Sequence, residues 1–235
     1  MPRNEVSAFG VLKSLRVVSL PGSDPSPEQL RDYNSAYATW RTVWLETFRE
    51  LEGAERLYSD EFCRQNEILC IFRERECLAM GLMRWTNLEL QSARDDSQLG
   101  AWPVDALENV ASHGSRIIIA SRLTLHPLAR GGALGLPMMD VIIGLMIRRM
   151  LESGAHAMLG APRTDRGVHR ACYRLGGTPL VPGVIRHNAP IDLIAFFPQK
   201  VTEGEEPVAG AVRYLWDFKR HTDQNSELHK GARHA

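Results

Sequence analysis

Two hydrophobic periods alternate along this chain, and the switches between them mark out its elements. Leu15-Arg16-Val17-Val18-Ser19-Leu20 reads as a short alternating strand, ended by Pro21-Gly22-Ser23-Asp24. Leu30, Tyr33, Tyr37, Trp40, Trp44, Phe48 and Leu51 then recur at three- and four-residue steps, which puts them on one face of a long helix. Ser26-Pro27-Glu28-Gln29 is a capping signature for it, with Ser26 as N-cap, Pro27 at the first helical position and Gln29 able to reach back. The aromatic stripe is expected in the core, with a few rings available to line an apolar tunnel. A short helix is expected around Ser59 to Arg64, and then Ile68 to Phe72 and Leu78 to Met83 form an antiparallel hairpin across Arg73-Glu74-Arg75-Glu76.

The connection from Trp85 to Ser115 is long and polar, with a helix expected at Val104 to Ala111, and loops of that length often serve as lids. Ile117 to Leu125 is the central buried strand, rich in β-branched residues and stopped by His126-Pro127. Leu128 to Gly135 is a glycine-rich turn, and Pro137 suits the first turn of the helix that follows. Met138, Val141, Ile142, Leu145, Met146 and Met150 face inward from that helix, and Gly154 caps it. Ala155 to Gly160 is the next strand, a second helix runs from near Asp165 to Gly176-Gly177, and Ile191 to Phe197 is a late strand. An amphipathic helix from Pro207 to His221 carries Val208, Val212, Leu215 and Trp216, and the polar tail after it is expected to be mobile.

At 235 residues the chain is one globular domain with an appended element: residues 1–200 form the domain and residues 201–235 a C-terminal helix and tail. A formal net charge of zero argues against a general nucleic-acid binder. That neutrality is uneven, because nine arginines stand against three acidic residues between Arg116 and Arg174, so the half with the glycine turn is positive. Cys63, Cys70, Cys77 and Cys172 show neither a C-x-x-C pair nor zinc-site spacing, so reduced thiols and no metal are expected. The chain shows no signal peptide and no apolar run of membrane-spanning length, and a cytoplasmic protein is expected.

Strand, glycine turn and helix N-terminus is an arrangement that collects backbone N–H groups and the helix dipole on an anion. The order Leu123-x-Leu125-x-Pro127 followed by Arg130-Gly131-Gly132-Ala133-Leu134-Gly135 resembles the acyl-CoA-binding motif of the GCN5-related N-acetyltransferase (GNAT) superfamily. Arg130 and Gly135 match its ends, whereas Ala133 stands at the middle glycine and Gly132 adds one a place earlier. Ala171-Cys172-Tyr173-Arg174-Leu175-Gly176-Gly177 is similar to the superfamily's closing Tyr-x-x-Leu-Gly-Phe, with Gly177 for the aromatic. Ser121-Arg122-Leu123-Thr124-Leu125 resembles a strand of acyl-homoserine lactone synthases, which also share the long aromatic first helix and mid-chain insertion with the related N-acyl amino acid synthases. Those enzymes carry a Glu where this chain has Ile119. The resemblance implies an α/β (α+β) fold with a central mixed, mostly antiparallel twisted sheet flanked by helices.

It also implies an N-acyltransferase that takes an acyl group from acyl-CoA or from the acyl-phosphopantetheine of an acyl carrier protein, and passes it to the amine of a small molecule such as an amino acid. By that analogy Arg130, Gly131, Gly132, Ala133, Leu134 and Gly135 bind the phosphate, the Leu125 N–H polarises the thioester carbonyl, and Tyr173 protonates the departing sulfur. The base is open between His126, whose intrinsic pKa is suitable, and a water chain. Arg122, beside Ser121 on the substrate side, is either a bidentate receptor for an acceptor carboxylate or part of an internal ion pair. Two further readings compete: a module that has lost its chemistry, suggested by Ala133 and the missing Glu, and a short-chain acetyl-CoA-dependent N-acetyltransferase.

Overall fold

The strand Glu67–Arg73, β2, is where the two sides of the molecule part, because its successive side chains enter different cores. In a computed structural model describing residues 10–231, β2 (Glu67–Arg73) sends Leu69 and Ile71 to one apolar cluster and Ile68, Cys70 and Phe72 to another. That alternation is the strand period expressed on a sheet covered on both faces. The sheet has seven strands in the order β1-β2-β3-β4-β5-β7-β6. Its members are β1 (Leu15–Leu20), β2, β3 (Glu76–Asn87), β4 (Arg116–Leu125), β5 (Ala157–Gly160), β6 (Thr178–Arg186) and β7 (Ala189–Phe196). Only β4 and β5 pair in parallel; the other pairs are antiparallel. The architecture is therefore mixed α/β with a mostly antiparallel sheet between helices.

Helix α1 (Leu30–Glu52) lies on the second face, with Ala36, Trp40, Val43 and Phe48 buried and Gly53 closing it at φ 70°. Its cap differs from the sequence signature. Gln29 does accept from the Ser26 amide at 3.1 Å, but the Ser26 hydroxyl turns to Glu28 at 2.7 Å, so no side chain caps the first turn and the helix starts at Leu30. The short α2 (Asp60–Cys63) plugs Phe62 under Trp40, Tyr33 and Tyr37.

The excursion after β3 is not a loose lid. It holds α3 (Gln91–Arg94) and α4 (Val104–Ser112), and Leu88, Leu99, Trp102, Leu107 and Val110 pack on Ile117, Ile119, Leu159 and Phe197 as a fixed layer. Helix α5 (Met138–Ser153) is buried nearly all round because it lies between the sheet and α7 (Val208–Gly231). The two helices approach closely at Gly144, where a Cβ would come within 2.7 Å of Val212. Val208, Val212, Leu215 and Trp216 of α7 thus belong to the main core. The backbone stays helical past His221 to Gly231; residues 232–235 and the leader before residue 10 lie outside the described residues.

Between β5 and β6 comes α6 (Val168–Arg174), which starts later than Asp165 because Gly167, at φ 71°, forms its N-cap. Strand β6 carries no readable strand signal, since Pro179 and Pro182 interrupt it. It tolerates them as the edge strand, with register shifts beside Pro179 and Val181. No helix among the described residues is long and apolar enough to cross a membrane.

Candidate active site

Strands β4 and β5 stay together for only a short distance. Ile117, Ile118 and Ile119 pair with Ala157, Met158 and Leu159; β5 then ends at Gly160 while β4 runs on to Leu125, held by β3 alone. A β-bulge adds to the divergence: Met80 pairs with Thr124 but Leu82 with Ser121, and Arg122 adopts φ 49°. Between the parted strands lies a cleft of about 680 Å³, walled by β4, α1, α5 and the β6–β7 hairpin.

At one end of the cleft is the glycine turn. The His126 amide donates to Leu78 O at 2.9 Å, so by antiparallel alternation the Leu125 N–H and C=O point away from β3, to the free edge. The Leu125 carbonyl there accepts from Arg130 Nε at 3.2 Å. Gly131, Gly132 and Gly135 have φ of 61°, 73° and 70°, with nothing near the position of an added Cβ, so glycine is required by backbone conformation rather than space. Ala133 lies outside the left-handed region, which explains why it can replace glycine. The amides of Ala133 and Gly135 donate inside the turn, to Arg130 O and Gly132 O. That leaves Gly131, Gly132 and Leu134 as turn amides without a backbone acceptor among the described residues. Pro137 is the N-cap of α5 rather than its first residue, and Asp140, buried in the first turn, accepts two hydrogen bonds from Arg174 at 2.9 and 2.7 Å.

The floor is apolar, formed by Met139, Ile143, Met146, Met158, Ile194 and Phe196. Cys172 opens onto it; burial, then the Asp140 charge, pushes its thiol up to about 12, so it is protonated at neutral pH. All four cysteines are unbridged, and no cluster of three or more metal-ligating side chains occurs among the described residues.

The other end is polar. Arg122 donates from Nε and Nη2 to the two carboxylate oxygens of Glu61, the second at 2.7 Å, and its guanidinium sits 4.7 Å from the Trp44 and Phe48 ring centroids. Burial would raise the Glu61 pKa, but the hydrogen bonds and charge of Arg122, with Arg64 behind, hold it below the ordinary carboxylate range. Of the two roles open to Arg122, the structure gives the internal ion pair, and its fork is taken. Across the cleft Arg186 donates to the carbonyls of Gln98 and Ser97, both at 3.1 Å. Burial first, then the charge of Arg122, lowers its pKa, with Glu61 acting against them. Ser121 Oγ and Gln98 Oε1 are shut off from solvent with no hydrogen-bond partner among the described residues, and both residues line the cleft.

The hairpin tip closes over this end. His187 Nδ1 lies 2.7 Å from Glu52, Asn188 donates to Leu51 O at 3.0 Å, and Arg166 reaches Glu50 at 2.5 Å, so the C-terminus of α1 is tied to the opposite wall.

Two expected catalytic residues are not in the cleft wall. The Tyr173 hydroxyl donates to Asp192 at 2.5 Å, and Asp192 also accepts from the Gly183 amide. Burial and that bond raise the Tyr173 pKa, which makes it a weaker proton donor. His126 faces the other way: its Nδ1 accepts from the Leu128 amide at 3.3 Å and its Nε2 lies 3.4 Å from Glu76. Both were expected at the reacting centre, and here neither side chain lines the cleft, since one residue of register on a strand or a turn of helix decides the side. Sequence reading missed Glu61, Gln98 and Arg186, which come from separate segments and share no spacing pattern.

No protein-family model matches the sequence, and no curated protein matches it. Solved structures do. A putative arylalkylamine N-acetyltransferase from the yellow fever mosquito is 15% identical, over 78% of this chain and 87% of that one, with a TM-score of 0.54. BjaI, a CoA-dependent acyl-homoserine lactone synthase determined with SAM and isopentyl-CoA, is 13% identical over 85% and 98%, with a TM-score of 0.52. The AHL synthase LasI is 11% identical over 80% and 91%, with a TM-score of 0.51. At such identities the likeness is one of architecture, and on that ground this chain has the fold of the GNAT acyltransferases.

Proposed function

We propose that the protein is an N-acyltransferase that moves an acyl group from a thioester, borne by CoA or by the phosphopantetheine of an acyl carrier protein, to the amine of an amino acid or a derivative. The observation that carries this reading is one cleft that joins an apolar floor to a polar chamber and reaches Arg130 and Gly131, where the turn with its free amides begins. It also agrees with the fold neighbours, which are named as an N-acetyltransferase and acyl-homoserine lactone synthases.

In this reading the phosphate rests on the amides of Gly131, Gly132 and Leu134 and the first turn of α5, with Arg130 beside it. The acyl chain lies over Met139, Ile143 and Met146. The outward Leu125 N–H donates to the thioester oxygen as it gains charge. The neutral amine attacks the carbonyl carbon, a C–N bond forms, and the C–S bond breaks from the tetrahedral intermediate. The amine's proton passes to the thiolate through water, so neither Tyr173 nor His126 is needed.

The test is thiol release from a series of acyl-CoA and acyl-carrier-protein thioesters against pooled amino acids, with the product identified by mass spectrometry. Thiol release that depends on the amine, with an N-acyl product, is expected. Failure of both donor classes, together with no calorimetric binding of acyl-CoA, would sink the reading.

A further inference from the structure

At the polar end of the cleft Arg186 is a cation without a carboxylate partner among the described residues. Arg122 is matched by Glu61 and Arg84 by Asp96, whereas Arg64 only shares Glu61, at 4.0 Å, and Arg186 meets carbonyl oxygens alone. Of these groups Arg122, Arg186 and Glu61 line the cleft, and Glu46 and Glu50 line it from the α1 side. A guanidinium has five N–H donors and Arg186 uses two, so its remaining donors are available to an anion in the cleft. The carbonyls of Ser97 and Gln98 also fix its direction, because they belong to the packed layer between α3 and α4.

Gln98 is 7% exposed, and its Oε1 has no partner among the described residues; the covered hydroxyl of the half-buried Ser121, on β4, has none either. A covered acceptor without a donor is costly, and an amine N–H supplies what both lack. We propose that Arg186, the Gln98 amide and the Ser121 hydroxyl together form the acceptor site, and that it selects amines carrying an adjacent carboxylate, that is, α-amino acids and close derivatives. This rests on the acyl-transfer reading above.

The carboxylate lies on Arg186 and balances its charge, while the amine is received by Gln98 and Ser121. A decarboxylated amine leaves Arg186 unmatched and loses the carboxylate contact, so it is bound less well than the amino acid.

The experiment compares phenylalanine with phenethylamine, and leucine with 3-methylbutylamine, using whichever thioester turns over. The amino acids are expected to have kcat/KM higher by about tenfold to a hundredfold, the size of a charged hydrogen bond. Arg186→Gln is expected to bring that ratio close to one with the KM for the thioester unchanged, and Arg186→Lys to keep part of it. A ratio near one in the parent protein, or an equal loss for both amines in Arg186→Gln, overturns the proposal; the second result makes Arg186 a strut for the α3–α4 layer. Calorimetric titration of the same ligand pairs without any thioester tests the site apart from the reaction. Binding of phenylalanine but not phenethylamine, lost in Arg186→Gln, supports the site even if transfer fails. Equal binding of the two, or binding of neither, overturns it.

Discussion

The two ends of the cleft are built in different ways. The glycine-turn end is one continuous piece of chain, residues 123–140, and its working groups are main-chain amides whose directions follow from φ values at Gly131, Gly132 and Gly135. The polar end is assembled from Glu61, Gln98, Arg122 and Arg186, four side chains from four separate segments, held by an ion pair and carbonyl contacts. The first depends on local backbone conformation and the second on a network, so they should fail differently when altered.

The largest expected effect is at the turn. Gly135→Asp forces a non-glycine residue into left-handed backbone and sets a negative charge before α5, so acyl-CoA binding should weaken on the order of a hundredfold, measured by calorimetry. Unchanged affinity would mean that the turn is not the donor site. At the polar end, Glu61→Ala strands Arg122, whose side chain is 13% exposed, and should cost about 2 to 3 kcal/mol in denaturant unfolding after allowance for solvent around Glu61. Loss of donor binding in that variant, with stability intact, would erase the distinction between the ends.

The same pair sets a pH response. Because the Glu61 pKa is lowered by folding, its contribution is fully present above the unfolded value of about 4.3 and is lost as pH falls through the folded value. Unfolding midpoints in acid should therefore fall less steeply for Glu61→Gln than for the parent protein. Smaller still, Tyr173→Phe removes the bond to Asp192 and should cost about 1 to 2 kcal/mol of stability while kcat stays within about twofold. A fall of kcat by orders of magnitude would bring Tyr173 back as the acid. His126→Ala loses the contact with the Leu128 amide, worth about 0.5 to 1 kcal/mol, and the one with Glu76, and turnover should be unaffected.

Much of the layout was legible in the chain because it obeys short periods. The α1 stripe, the β2–β3 hairpin, the central strand with its glycine turn, and the inward face of α5 are each visible within a window of a few residues. Strand β6 was not, since Pro179 and Pro182 are tolerated only by its place at the sheet edge. The segment after β3 looked like a lid because its Leu99, Trp102 and Val110 have no partners nearby in sequence; their partners are Ile117, Leu159 and Phe197.

Sequence alone determined most of the elements, their order and the amide-bearing turn, because backbone conformation depends on neighbouring residues and on where glycine stands. Tertiary structure decided which side chains face the cleft. It turned Tyr173 towards Asp192 and His126 towards Glu76, occupied Arg122 with Glu61, and brought Arg186 to Gln98. Those outcomes depend on strand register, a bulge at Arg122 and the reach of the β6–β7 hairpin across the sheet, which are long-range and leave no local pattern.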